Sequence, residues 1–139
     1  DIGLGIPAEP LFRSSYCILL ARQGATKDEI RHAIEQELGY DLAFTCDGIR
    51  DSYRWGATCQ DTVPQAIVAF LDGKDFEDSI RNAISIGGDS DTLGCITGSI
   101  AEAYYGIPKD LYAKGLEYLT PHFKNVVKEF EEKYGRKII

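Results

Sequence analysis

Residues 83–105 read Ala83-Ile84-Ser85-Ile86-Gly87-Gly88-Asp89-Ser90-Asp91-Thr92-Leu93-Gly94-Cys95-Ile96-Thr97-Gly98-Ser99-Ile100-Ala101-Glu102-Ala103-Tyr104-Tyr105. Upstream of the two glycines, Phe76, Ile80, Ala83 and Ile84 recur at i, i+4, i+7 and i+8, the period of an amphipathic helix. Downstream, Leu93, Ile96, Ile100 and Tyr104 form a second apolar stripe. Gly94, Gly98 and Ala101 form a face narrow enough to press against a neighbouring helix. Only Glu102 is charged between Leu93 and Tyr105, so this helix is expected to be the buried central one. The stretch therefore predicts two helices joined by a tight turn.

The turn itself carries chemistry. Asp89, Asp91 and the Thr92 hydroxyl put two carboxylates and an alcohol within four residues at a helix start. Hard cations such as Mg²⁺ take carboxylate, hydroxyl and water oxygens, so these residue types suit one. The same string has a purely structural reading. Asp and Ser are favoured N-caps, and acids near a helix N-terminus are stabilised by the helix dipole.

Working outward, the helical period persists. Ala8 to about Gln23 carries Leu11, Phe12, Ser15, Leu19 and Arg22 at helical spacing and stops at Gly24. Thr26-Lys27-Asp28-Glu29 has the form of a capping box, opening a helix with Ile30, Ala33, Ile34 and Leu38 on one face and Gly39 at its end. Asp47-Gly48 marks a turn, and residues 49–53 form either a short helix or a connector. Asp61 or Thr62 caps the next helix, with Pro64 in its first turn, Ala66, Ile67, Phe70 and Leu71 on its apolar face, and Gly73 after it. Asp75 caps the helix that runs into Gly87. After Gly106 and Pro108, a short helix is expected around Lys109–Tyr118. Thr120-Pro121 then opens a last one, with Phe123, Val126, Val127, Phe130 and Tyr134 expected to face inward. No β-alternating run of strand length occurs, so the expected fold class is all-α, an orthogonal multi-helix bundle forming one domain over 1–139.

Composition narrows the partners. The chain has 139 residues and a net charge of −7, which argues against a nucleic-acid or anionic-membrane surface. There is no apolar run of membrane-spanning length. Cys17, Cys46, Cys59 and Cys95 have no CxxC or zinc-like spacing. Cys17 and Cys95 lie in apolar helical patterns, which suggests buried free thiols and a cytoplasmic protein. His32 and His122 are expected at the surface, and neither is placed to activate a nucleophile. Trp55 reads either as a core anchor or as a platform for a base or ribose.

The run Thr62-Val63-Pro64-Gln65-Ala66-Ile67, then Phe70-Leu71, then Ala83 to Gly106 through Gly87-Gly88-Asp89-Ser90-Asp91-Thr92 resembles the ADP-ribosylglycohydrolase family. The likeness extends weakly to Ala21-Arg22-Gln23-Gly24 and Tyr40-Asp41-Leu42. It implies an all-α fold with a binuclear Mg²⁺ site, Mn²⁺ being an alternative. In that site Asp89, Asp91 and Thr92 would be metal ligands. Beside them Gly88 and Ser90 of the same turn, and Trp55 as a stacking platform, are the candidate substrate contacts. The implied activity is hydrolysis of the glycosidic bond between ADP-ribose and a modified protein side chain. The implied partner is an ADP-ribosylated protein or ADP-ribose.

The resemblance also implies an N-terminal Thr-Asp-Asp-Thr-like motif, and these residues contain none. The chain thus reads as the C-terminal half of such an enzyme. It is expected to be completed by another segment or by self-association, or to be a non-catalytic relative that binds ADP-ribose or a protein.

Overall fold

The computed structural model describes residues 9–54, 56, 58–135 and 139, and the side chains from residue 13 onward within that set. Among them are eight helices and no strand: α1 (Glu9–Arg22), α2 (Lys27–Leu38), α3 (Cys46–Ile49), α4 (Val63–Asp72), α5 (Phe76–Ile86), α6 (Ser90–Tyr105), α7 (Lys109–Glu117) and α8 (Pro121–Tyr134). The fold is all-α.

Local chemistry sets most boundaries. At α2 the Thr26 hydroxyl accepts from the Glu29 amide at 3.3 Å, and the Glu29 carboxylate accepts from the Thr26 amide at 2.7 Å, a complete capping box. Gly39 closes that helix in the left-handed conformation, φ 67°, where a Cβ is disfavoured. Asp75 caps α5 through the Asp78 amide at 2.8 Å, and Thr120 caps α8 through the Phe123 amide at 3.5 Å. Thr62 stands at the N-cap of α4, although its side chain makes no capping bond.

α4, α5 and α6 pack on one another, and α1 lies across α6 and α4 with α2 beside it. α4 is the most completely enclosed, with Val63, Pro64, Ala66, Ile67, Val68, Ala69, Phe70 and Leu71 all buried. α6 is central but not sheathed all round. Leu93, Thr97, Ile100 and Ala101 are buried, while Asp91, Thr92, Cys95 and Ser99 face out. Its narrow glycine face works as its spacing suggests: a Cβ on Gly94 or Gly98 would meet the Ile84 or Ile80 Cδ1 of α5 at 3.3 and 3.0 Å. The buried Thr97 hydroxyl donates to the Ala66 carbonyl at 2.9 Å and ties α6 to α4.

The C-terminus of α4 is finished from outside. The Tyr105 hydroxyl donates to the Gly73 carbonyl at 2.6 Å, and the Lys27 ammonium donates to the Leu71 carbonyl at 2.9 Å and to that of Gly73. The same ammonium lies over the Phe70 and Tyr105 rings, a cation–π arrangement. Burial pushes the Tyr105 phenol up to about 12.

Four expectations need correction. The inward face of α1 is Ser14, Cys17 and Ala21, whereas Ser15, Leu19 and Arg22 are exposed. Those buried positions carry small side chains, which a hydrophobic period undervalues, with Tyr16, Ile18 and Leu20 packed partly against the core beside them; the side chains of Leu11 and Phe12 lie outside the described set. Cys95 is exposed on α6, so only Cys17 and Cys46 are buried thiols, both pushed up to about 12 chiefly by burial. The short helix is Cys46–Ile49, capped by Thr45, and Asp47-Gly48 lies inside it. Finally, α8 has no buried residue: Phe123, Val126, Phe130 and Tyr134 are 47–56% exposed. Its stripe is real, but none of the described residues covers it.

Candidate metal centre

α5 ends at Ile86, and the Gly87 amide donates back to the Ile84 carbonyl at 3.2 Å. Gly87 and Gly88 both hold positive φ, 81° and 66°, which reverses the chain in two residues so that α6 begins at Ser90. Asp89 occupies the N-cap position, φ −80° and ψ 69°, yet its side chain makes no capping bond to α6. This separates it from Thr26, Thr45, Asp75 and Thr120, which all cap their helices. The carboxylate that a structural reading would spend on the helix is free of that task.

Asp89 meets Asp91 instead. The Asp91 carboxyl lies below its ordinary value, first through a side-chain hydrogen bond with Asp89, then through the Asp91 and Thr92 backbone amides. Two carboxylates that close at a helix N-terminus attract either a shared proton or a cation. Asp91 and Thr92 are exposed, and Asp89 and Ser90 are half-buried, so the turn is open to solvent.

The donors fit a hard divalent cation in kind, being two carboxylates and a hydroxyl. They do not fit it in number. No group of three or more His, Cys, Asp or Glu side chains among the described residues could hold a metal ion. Any cation held here keeps waters or takes further ligands.

A family model described as ADP-ribosylglycohydrolase matches residues 10–137. The chain belongs to the ADP-ribosylglycohydrolase family. An uncharacterised protein of Archaeoglobus fulgidus is 42% identical over 50 residues, which is 35% of this chain and 16% of that protein. The chain therefore matches only a small part of that relative's length. No solved structure matches the chain.

In this ADP-ribosylglycohydrolase chain the structure brings together Gly88, Asp89, Ser90, Asp91 and Thr92. Trp55 lies outside the described residues. What sequence reasoning missed is the neighbour of the turn. The Tyr53 ring stands directly against Gly88, where a Cβ would meet its Cε1 at 2.5 Å. The Tyr53 hydroxyl donates to the Asp61 carbonyl at 2.7 Å. Burial raises the Tyr53 phenol, the nearby Thr62 hydroxyl lowers it, and the Asp61 and Asp89 charges raise it further. Nothing in the spacing of Tyr53 and Gly88, 35 positions apart, signals that contact.

No described helix is long and apolar enough to cross a membrane.

Proposed function

We propose that this chain contributes the C-terminal metal-binding turn of an enzyme that hydrolyses the glycosidic bond between ADP-ribose and a modified protein side chain. The observation that carries the reading is the Asp89–Asp91 pair at the N-terminus of α6, with Asp89 making no capping bond to that helix, inside the family match. Asp89, Asp91 and Thr92 would hold Mg²⁺ or Mn²⁺, with the remaining donors supplied from beyond this turn.

A bound divalent cation would supply Lewis acidity toward ribose hydroxyls and a water at the anomeric carbon. The chain's own groups do the rest. Asp89 and Asp91 would anchor that cation beside the sugar, and their charge would offset its own so that an oxocarbenium-like transition state is not repelled. Gly87, with open space where a Cβ would stand, leaves room for a ligand beside them, and the half-buried Ser90 hydroxyl can contact it.

A non-catalytic relative that binds ADP-ribose is the second reading. It is favoured by the count of donors, three at this turn and no fuller cluster among the described residues. The two separate on Asp91→Asn, which removes a charge at nearly constant volume. For the enzyme, Mg²⁺-dependent release of ADP-ribose from a modified protein should fall at least 100-fold, roughly 2.7 kcal/mol of barrier. For the binder, the chain releases no ADP-ribose with or without the substitution.

A further inference from the structure

Two elements far apart in sequence meet at one residue. Residues 58–62 form a turn closed on itself ahead of α4: Thr58 Oγ1 donates to Asp61 Oδ2 at 2.6 Å, the Asp61 amide returns to the Thr58 carbonyl at 3.1 Å, and the Thr62 and Val63 amides donate to the Cys59 carbonyl at 3.3 and 2.9 Å. The Tyr53 hydroxyl donates to the Asp61 carbonyl of that turn at 2.7 Å, and its ring stands against Gly88. One side chain therefore touches both the loop that starts α4 and the glycine that sets the direction of the Asp89–Thr92 turn.

We propose that Tyr53 is a positioning residue for the acidic turn, its ring holding Gly88 in place and its hydroxyl fixing the ring to the 58–62 turn. The inference rests on the cation reading only for its consequence, which is that Asp89 and Asp91 converge because Gly88 cannot swing away. The fit is mutual. Gly88 has no Cβ because the ring occupies that space, and the ring cannot advance because its hydroxyl is tied at the far end. A turn held from one side needs less ordering when a ligand arrives, and pre-organisation of that kind strengthens binding without adding a contact. The 58–62 turn and the acidic turn then behave as one unit, so a ligand on one steadies the other.

The test is amide hydrogen exchange across the 139-residue chain for wild type, Tyr53→Phe and Tyr53→Leu. Gly87 and Leu93, whose amides donate to Ile84 and Asp89 at 3.2 and 3.0 Å, flank the turn and report on it. Thr62 and Val63 report on the loop, and the α4 interior reports on global stability. Tyr53→Phe keeps the ring. It should speed exchange at Thr62 and Val63 at least threefold while leaving Gly87 and Leu93 within twofold of wild type. Tyr53→Leu should speed exchange at all four at least tenfold with the α4 interior unchanged. Unchanged Gly87 and Leu93 in Tyr53→Leu would overturn the proposal, as would equal acceleration everywhere, the mark of a merely structural residue. A parallel Mn²⁺ titration followed by electron paramagnetic resonance, on wild type and Asp91→Asn, separates the two ideas. Equal binding by both would remove the cation reading and leave the exchange result standing.

Discussion

At the scale of single residues, the contrast between caps decides the reading of the acidic turn. Thr26 and Glu29 show what a carboxylate does when it serves a helix: it accepts the Thr26 amide at 2.7 Å and the Thr26 hydroxyl at 2.9 Å. Those bonds hold the Glu29 carboxyl below its ordinary value, the amide of Thr26 being the main cause. A group whose folded pKa is depressed stabilises the fold above its unfolded value and loses that contribution as pH falls through the folded one. The stability gap between wild type and Glu29→Ala should therefore be fully present above the ordinary glutamate value of about 4.3 and shrink as the pH falls below it, as urea midpoints at each pH would record. Thr26→Ala should cost about 1 kcal/mol at neutral pH. Asp89 makes no such bond to its helix and meets Asp91 instead, which is why the turn reads as more than a cap.

Among elements, caps were legible because they are local. Thr26, Gly39, Asp75 and Thr120 announce boundaries through groups within three residues of one another, and the helices begin and end there. The α1 face was not legible, since Ser14, Cys17 and Ala21 are chosen for smallness against α6 and α4 rather than for hydrophobicity. Close approach is the theme of the α4–α5 junction too. A Cβ on Gly73 would lie 2.2 Å from the Ser79 hydroxyl and 2.8 Å from Ser79 Cα, which is backbone and cannot step aside. Gly73→Ala should therefore destabilise the chain by about 1–3 kcal/mol as an overpacking change. Thr97→Val, which removes the bond to the Ala66 carbonyl, should cost about 1 kcal/mol. Both are read from chemical denaturation at constant slope.

Across the whole molecule, a hydrophobic period names a face but not its partner. α5, α6 and α8 carry stripes of similar regularity, yet α5 buries Ala83 and α6 buries Leu93 and Ile100, with Phe76 and Ile96 packed against the core, while α8 leaves Phe123, Val126, Phe130 and Tyr134 exposed; Ile84 of the α5 stripe is also 49% exposed. Which stripe finds a partner depends on topology, and no local signal carries that. The difference is measurable. Ile100→Ala, in the core, should cost about 2–5 kcal/mol, whereas Phe130→Ser should stay within about 0.5 kcal/mol. A Phe130→Ser loss as large as that of Ile100→Ala would mean α8 is packed in solution. The tight turn between α5 and α6 was legible from Gly87-Gly88, and it puts Asp89, Asp91 and Thr92 at the start of α6. Its support by Tyr53 was not, because that contact joins residues 35 positions apart through a ring and a glycine.

The most direct measurement is calorimetric titration of Mg²⁺ into the 139-residue chain and its Asp91→Asn variant, each with and without ADP-ribose. We expect saturable binding to the wild type, tighter when ADP-ribose is present, and its loss in Asp91→Asn. Identical heats for the two proteins, or no binding to the wild type under either condition, would contradict the assignment of this turn as a cation site.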